Sequence, residues 1–226
     1  MAPSKNLKNE VLKTLAYSSV FKYPLSFYQL GTYLGCKCSY GDFVKALREL
    51  EKCKKISQKA GEYYIPYEYV ENWSKKLEET KKRTKEAKKI IGPLKKIPWI
   101  KLLALTGPLA AANPQEKGDI DIFIVAQEKR LWLTRLFVAL YLKALGKYRT
   151  DKNSIDKICP NLFVSENNLL WKKKKQNFYI ASEIVRMQPI IIREETYERF
   201  LTKNRCVEKF FPNFMFEKTA NEKRHG

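Results

Sequence analysis

The sequence has few acidic residues, almost no histidine and no long apolar run. Its 226 residues carry 44 Lys and Arg against 24 Asp and Glu, a net charge of +20. Heat-adapted proteins add Lys and Glu together to build ion-pair networks, and this imbalance does not fit that pattern. The excess of positive charge favours a polyanionic partner, and nucleic acid is favoured over an acidic membrane surface. Solubility alone is the simpler alternative.

The only histidine, His225, is next to the last residue. Ser/His/Asp and Cys/His catalytic arrangements are therefore excluded. The five cysteines are scattered without a repeated spacing, which favours a reducing cytoplasm over a disulfide framework. Cys36, Cys38 and Cys53 offer three zinc ligands but no evident fourth, so we interpret them as structural thiols.

Long apolar segments are also missing. The best candidate for a membrane span, 131–145, contains Arg135 and Lys143. The N-terminal stretch MAPSKNLKNEVLKTL carries charge throughout, and we expect no secretory signal. A Gly-rich loop ending in Lys-Ser or Lys-Thr is absent, which excludes a Walker-type phosphate site. These features predict a cytoplasmic protein without a membrane partner.

Residues 7–66 have the pattern of three short helices followed by a small hairpin. Apolar residues recur at helical spacing over 7–21, a second helix is predicted over 26–35, and a third begins after Ser39. Two short strands follow, separated by a turn at 59–62. This order resembles the winged helix-turn-helix family. The resemblance implies nucleic-acid contact by the third helix and the hairpin, through Lys45, Arg48, Lys52 and Lys59. Packing against a protein is the alternative.

Residues 73–91 form one predicted helix with a narrow apolar stripe that includes Trp73, Ala87 and Ile91. The remaining surface is rich in bases: Lys75, Lys76, Lys81, Lys82, Arg83, Lys85, Lys88 and Lys89. These bases could follow a phosphate backbone. A solvated face, supported by pairs such as Glu78 with Lys82, is the favoured interpretation.

Two aspartates stand one residue apart in the apolar stretch GDIDIFIV, on a strand predicted over 119–125. Residues two apart on a strand share a face, so Asp119 and Asp121 project side by side and the intervening isoleucines fill the other face. Neighbouring carboxylates need a compensating cation, and hard oxygen ligands suit Mg²⁺ or Mn²⁺. An ion pair with Lys101 or Lys117 is the alternative.

The turn before this strand, TGPLAAAN, has the small residues of a phosphate cradle, since Gly107 lets a ligand approach the backbone. This stretch resembles the polymerase beta-like nucleotidyltransferase superfamily, whose pattern is a strand, a Gly turn, a gap and then Asp-x-Asp. The later segments DKICPNLFVSE and ASEIVRMQP resemble uncharacterised small prokaryotic relatives with an N-terminal helical module.

The resemblance implies an α/β (α+β) fold with a short mixed β-sheet core flanked by helices, behind a small winged helix-turn-helix domain. It also implies metal-dependent transfer of a nucleoside monophosphate from a nucleoside triphosphate to an acceptor, nucleic acid or protein. Asp119 and Asp121 would bind Mg²⁺ or Mn²⁺, and Asp156, ahead of a strand at 158–164, is the candidate third catalytic acid. The triphosphate would contact Thr106, Gly107, Pro108 and Lys117.

Pro108 departs from the family pattern, because it supplies neither a hydroxyl nor a backbone N–H to grip phosphate. Ala111 and Ala112 also stand where relatives often have a basic residue and Gly. An alternative function is therefore a nucleic-acid-binding protein with an inactive, nucleotide-binding transferase-like domain. Minimal members of this superfamily also act as one half of a toxin and antitoxin pair, which implies a protein partner.

Three parts are predicted along the chain: a winged-helix-like domain at 1–68, a basic helical connector at 69–97 and a nucleotidyltransferase-like domain at 98–226. Within the last, the other predicted strand is 99–105. Its predicted helices are 129–145, 181–187 and 196–210. The run of four lysines at 172–175 is interpreted as a solvated loop rather than a nucleic-acid clamp.

Overall fold

The computed structural model describes residues 5–66, 73–113, 118–171 and 176–214. Its helices are α1 (Lys5–Val20), α2 (Phe27–Tyr33), α3 (Tyr40–Lys52), α4 (Trp73–Ile91), α5 (Gly107–Ala110), α6 (Leu131–Ala144), α7 (Phe178–Arg186), α8 (Thr196–Lys203) and α9 (Cys206–Phe210). Its strands are β1 (Leu25–Ser26), β2 (Ser57–Lys59), β3 (Glu62–Tyr64), β4 (Ile100–Leu105), β5 (Ile120–Ala126), β6 (Ile158–Ser165) and β7 (Gln188–Ile192).

Contacts between residues divide the chain into two compact units. The first contains Met1–Asn72 together with Cys206–Gly226, and the second contains Trp73–Arg205. The helix predicted as a connector, α4, is thus part of the second unit, and residues 206–214 group with the N-terminal helices. The three-part division drawn from the sequence stays a prediction.

The first unit contains the three predicted helices and the predicted hairpin. Ser26 begins α2 in a capping box: its hydroxyl accepts from the Gln29 N–H, and the Gln29 side chain accepts from the Ser26 N–H. Ser39 caps α3 by accepting from the Asp42 N–H at 3.1 Å. The sheet has the order β1-β3-β2, and its short strand β1 was not predicted. The identification of this unit as a winged helix stays a prediction.

Asn213 joins two segments of the first unit that are distant in sequence. Its side chain accepts from the Cys38 N–H (3.1 Å) and donates to the Cys36 carbonyl (2.7 Å). Asn213 is buried, so these bonds satisfy polar groups that water does not reach. They hold the residues after α9 against the loop that precedes α3.

The second unit is built on a four-stranded mixed sheet in the order β6-β5-β4-β7, which confirms the predicted fold class. β5 pairs in parallel with β6 and antiparallel with β4, and β4 pairs antiparallel with β7. Strand β7 was not predicted. It contains Pro189, which an edge strand tolerates because one side of its backbone has no ladder to join.

The inner position of β5 explains its alternating side chains. Ile120, Ile122 and Ile124 face the main core, as predicted, and pack with apolar residues of α4 and α6. On the opposite face, the Phe123 ring lies 6.0 Å from Trp171 and 5.3 Å from Phe200, centre to centre. Both faces of β5 are therefore packed along most of its length.

The single helix predicted over 196–210 is wrong, since the chain forms α8 and α9 with a break between them. Asn204 is fully buried at the end of α8. Its amide donates to the carbonyls of Leu169 and Phe200, both at 2.8 Å, and its oxygen accepts from the Trp171 N–H at 2.9 Å. Side-chain bonds of this kind compete with helix propagation.

Helix α4 has the predicted bounds, with Trp73, Ala87 and Ile91 buried as the stripe requires. The placement of Arg83 on the solvated face is wrong, because only 7% of this residue is exposed. Across the described ranges, no helix has the length and apolar character needed to cross a membrane.

Candidate functional site

Asp119 and Asp121 lie at the start of β5, on the face opposite the isoleucine side chains. Ile120 and Ile122 are buried in the core, so the backbone alternation turns both carboxylates the other way. Asp121 is partly buried and Asp119 keeps 27% of its side chain exposed. The carboxylates thus share one face, as the spacing predicted.

A third group, the thiol of Cys159, joins them from β6. In the parallel ladder Cys159 stands opposite Asp121, and residues in register point to the same face. One ligand atom from each of Asp119, Asp121 and Cys159 can be chosen so that all three lie within 4.8 Å of one another. Two carboxylates and a thiol at this separation are a donor set that fits one divalent cation.

The edge position of β6 explains how the chain accommodates this arrangement. Pro160 follows Cys159, and the register then shifts by one residue at Asn161, which is exposed. Proline and a bulge are both tolerated at a sheet edge, and bulges re-aim neighbouring side chains. The irregularity therefore lies directly beside the cluster of acids and thiol.

The charges around Asp121 are poorly balanced. Burial raises the pKa of the Asp121 carboxyl, and the negative charge of Asp119 raises it further, whereas a hydrogen bond from the Cys159 thiol and the charge of Arg149 oppose the shift. Burial also raises the pKa of Cys159 to about 11, with the two carboxylates adding to the effect. A bound cation would relieve this repulsion.

Arg149 is the cation that approaches the pair most closely among the described ion pairs. Its Nε lies 3.2 Å from Oδ2 of Asp119, and its Nη1 lies 3.9 Å from Oδ1 of the exposed Asp151. The ion-pair partners predicted for the aspartates as the alternative to a metal are Lys101 and Lys117. Lys101 pairs with Glu194 instead, and Lys117 lies outside the described residues.

The Gly107 turn lies directly against Asp121. The Thr106 N–H donates to the Asp121 carbonyl at 3.0 Å, and Gly107 has the left-handed φ of +67°. A Cβ at position 107 would overlap Oδ2 of Asp121 and lie 3.3 Å from its Cβ. Glycine is therefore required here for backbone conformation and for space. Pro108 follows in the first turn of α5.

Glu183 is a functional candidate that the sequence did not single out. It lies on α7, its carboxylate accepts a hydrogen bond from the Gly107 N–H, and its charge raises the pKa of Asp121. Burial raises the pKa of Glu183 itself, while the charge of Arg186 and the Gly107 bond lower it. Tyr179, one turn earlier, has its pKa raised by the same carboxylate. The sequence feature that could have identified Glu183 is an acid within the apolar run YIASEIV.

Asp156, the predicted third acid, has a different partner. Its Oδ1 lies 2.8 Å from Nε of buried Arg83. The Nη2 of Arg83 also donates to the Gly118 carbonyl, at 2.7 Å. Among the residues the structure describes, the group able to hold a metal contains Cys159 and not Asp156. The role of Asp156 as a third metal ligand stays a prediction. Glu166, another acid near this strand, follows the opposite end of β6.

The predicted nucleic-acid contacts lie on the first unit. Lys45, Arg48 and Lys52 are exposed along one side of α3, and Lys59 is exposed on β2. The inward face of the same helix is apolar and buried, through Phe43, Ala46, Leu47 and Leu50. The basic face is thus available to a polyanion. The lysine run at 172–175 lies outside the described residues.

Comparisons with known proteins give no family assignment. No family model matches the chain, and no curated protein matches it. Among solved structures, a mutant of the toxin-antitoxin MntA-HpeT is similar at 14% identity and a TM-score of 0.30, over 62% of this chain and 95% of that chain. A toxin-antitoxin with AMP-PNP is similar at 16% identity and a TM-score of 0.29, over 60% of this chain and 92% of that chain.

Similarity at this level does not identify a common activity. Both TM-scores are below 0.5 and both identities are below 25%. The function proposed below therefore rests on the geometry of this chain, in which a Gly turn, two carboxylates and a thiol meet at the start of two parallel strands.

Proposed function

We propose that the second unit is a metal-dependent nucleotidyltransferase, which transfers a nucleoside monophosphate from a nucleoside triphosphate to an acceptor hydroxyl. The observation that carries the proposal is the proximity of the Asp119, Asp121 and Cys159 ligand atoms, within 4.8 Å, beside the Gly107 turn. A divalent cation bound there would polarise a phosphoryl oxygen and stabilise the charge that develops during transfer.

The chain's own residues have distinct roles in this proposal. Asp119 and Asp121 hold the cation, and Arg149 neutralises part of their charge through Asp119. Gly107 lets the backbone of the turn lie directly against the Asp121 carboxylate, because a Cβ at position 107 would overlap Oδ2 of Asp121. Thr106 fixes the turn through its N–H bond to the Asp121 carbonyl. The turn and the metal ligands are thereby held together.

Incubation with each α-labelled nucleoside triphosphate, Mg²⁺ or Mn²⁺, and pools of RNA, DNA or the protein itself tests this function. Asp121→Asn should lower label transfer by about 100-fold or more, since loss of a metal contact costs several kcal/mol. Glu128→Gln is the control: it removes one exposed negative charge beyond the far end of β5 and should leave transfer unchanged. Transfer that survives Asp121→Asn would refute the site assignment.

A second candidate function is nucleic-acid binding by the first unit with an inactive transferase-like domain. Its support is the exposed basic face of α3 and β2, together with Pro108 and the Gly107 N–H already bonded to Glu183. In this case binding to duplex DNA or RNA should weaken with salt, by about 0.9 in log affinity per neutralised phosphate per decade. It should not depend on Asp119.

Arg48→Ala and Lys52→Ala test that interface directly. Each should weaken binding across all nucleic-acid sequences and reduce the salt slope by about one if the residue contacts phosphate. Lys143→Ala, which removes an exposed base from α6 in the other unit, is the control. Salt-independent binding, or equal losses in the control, would exclude this interface.

A further inference from the structure

The proposed function assigns the cation to Asp119 and Asp121, and Cys159 belongs to the same cluster. It stands opposite Asp121 in the parallel ladder of β5 and β6, and its thiol donates to the Asp121 carboxylate. Its sulfur lies within 4.8 Å of the carboxylate oxygens. It is also the only cysteine between residues 73 and 205, the range of the second unit. Sulfur is thus placed directly at the candidate metal position.

This donor set is mixed in chemical softness. Carboxylate oxygens suit Mg²⁺ and Mn²⁺, whereas a thiolate favours softer ions such as Zn²⁺. A tetrahedral Zn²⁺ with bonds of about 2.0 Å to oxygen and about 2.3 Å to sulfur holds these ligand atoms roughly 3.5 Å apart. The separation in the protein is close enough for small side-chain rotations to reach that value. Three protein ligands would leave one position open for substrate or water.

We propose that Cys159 is the third ligand of the Asp119 and Asp121 site, and that the site therefore selects a borderline cation such as Zn²⁺ or Co²⁺ over Mg²⁺. The proposal rests on the proposed function in one respect, the assignment of the two aspartates as metal ligands. When the metal binds, the sulfur donates an electron pair to it and the thiol proton passes to solvent. The metal does not change oxidation state.

Co²⁺ is the probe, because its spectrum reports its ligands without any turnover. The experiment uses the full chain with the substitutions Cys36→Ser, Cys38→Ser, Cys53→Ser and Cys206→Ser, so that Cys159 is the sole thiol. Added Co²⁺ should give visible d–d bands and a thiolate-to-cobalt charge-transfer band. Cys159→Ser should abolish the charge-transfer band and weaken Zn²⁺ binding by at least about tenfold, the loss seen even for residues that only support a ligand. Mg²⁺ binding should be unchanged.

Cys159→Asp is the informative second variant. It replaces the soft donor with a hard one at the same position, so the preference for Zn²⁺ over Mg²⁺ should fall by about tenfold or more. Asp121→Asn should abolish binding of both ions. Glu128→Gln, which removes one exposed charge beyond the far end of β5, should bind both ions as the unmodified chain does.

The unmodified chain provides a measurement that does not depend on any variant folding. Alkylation of its cysteines, followed by mass spectrometry, should show Cys159 protected by Zn²⁺ and not by Mg²⁺. Cys53, which is exposed, serves as the internal reference and should react equally in both.

The outcomes separate this proposal from the proposed function. Cobalt d–d bands without a charge-transfer band, and Cys159 alkylation unaffected by Zn²⁺, would overturn thiol ligation and leave the carboxylate site in place. Failure of every divalent cation to bind, or binding unaffected by Asp121→Asn, would overturn the metal site and both proposals with it.

Discussion

Gly107 and Asp121 lie so close that no side chain fits between them. A Cβ at position 107 would overlap Oδ2 of Asp121, and φ at Gly107 is +67°. Gly107→Ala should therefore destabilise the protein for two reasons, the left-handed backbone and the collision, at a total cost of about 2–3 kcal/mol. It should also displace the Asp121 carboxylate and weaken divalent-cation binding. Urea denaturation and a metal titration measure the two effects.

Gly146→Ala separates the effect of the left-handed backbone from the effect of the steric overlap. Gly146 has a similar φ of +61°, but nothing lies within 4 Å of a Cβ built there. Its replacement should cost only the backbone strain, about 1 kcal/mol, and leave metal binding intact. Equal effects of the two substitutions would contradict the close approach of Gly107 to Asp121.

Arg83 and Asp156 differ greatly in exposure, with 8% of the arginine side chain and 54% of the aspartate side chain exposed. Asp156→Asn should cost about 1–3 kcal/mol, because it removes a carboxylate from a buried guanidinium. Arg83→Met should cost less, since the remaining carboxylate faces water. The double variant should be more stable than the sum of the single effects predicts.

The same variants test whether Asp156 is a metal ligand. If Asp156 acts only through Arg83, the double variant should bind Co²⁺ as the unmodified chain does, because the backbone N–H at position 156 still donates to the Gly118 carbonyl without the Arg83 side chain. If Asp156 is the third catalytic acid, Asp156→Asn should abolish Co²⁺ binding and Arg83→Met should not restore it. Free energies of unfolding from urea titrations, measured with the cobalt spectra, distinguish the two roles.

The sequence was sufficient to predict β5 and its paired aspartates, because alternation along a strand is a local pattern. It was insufficient for Cys159 and Glu183. Their places depend on the parallel register of β6 against β5 and on the contact of α7 with the Gly107 turn, and neither is encoded in neighbouring residues. Arg83 was misplaced for the same reason: helical spacing grouped it with the exposed bases, and its ion-pair partner Asp156 is distant in sequence.

If Gly107 contacts a phosphate as proposed, Glu183 should compete with that phosphate for the Gly107 N–H. Its carboxylate accepts that hydrogen bond, and its negative charge would repel a triphosphate at the same turn. Glu183→Gln keeps an acceptor and removes the charge, so it should tighten nucleotide binding by up to about tenfold, equivalent to about 1.4 kcal/mol. Titration of a fluorescent nucleoside triphosphate analogue with Mg²⁺ measures the effect.

Glu128→Gln is the control for Glu183→Gln, since it removes one exposed negative charge at the far end of β5. It should leave nucleotide affinity unchanged. Weaker nucleotide and cation binding by Glu183→Gln would instead identify Glu183 as a metal ligand and contradict the competition.

Glu62, on β3 of the first unit, should make stability depend on pH near neutrality. Its Oε2 is buried without a hydrogen-bond partner among the described residues, and burial raises the pKa of its carboxyl from 4.5 to about 7. Because the folded pKa is above the unfolded one, the folded state resists ionisation. The free-energy cost of ionising Glu62 in the folded state is absent below pH 4.5. It grows as the pH rises toward 7 and is complete above pH 7.

Glu62→Gln should therefore increase the free energy of unfolding at about pH 8 by about 1–2 kcal/mol, a value reduced to allow for the partial exposure of this side chain. The gain should shrink as pH falls and disappear at about pH 4, where Glu62 is protonated in both states. Urea denaturation at several pH values measures it, with Glu51→Gln on α3 as the control for one lost charge. A gain that is equal at all pH values would mean that Glu62 does not titrate near neutrality, because removal of an ionised buried carboxylate stabilises the fold only where that carboxylate is ionised.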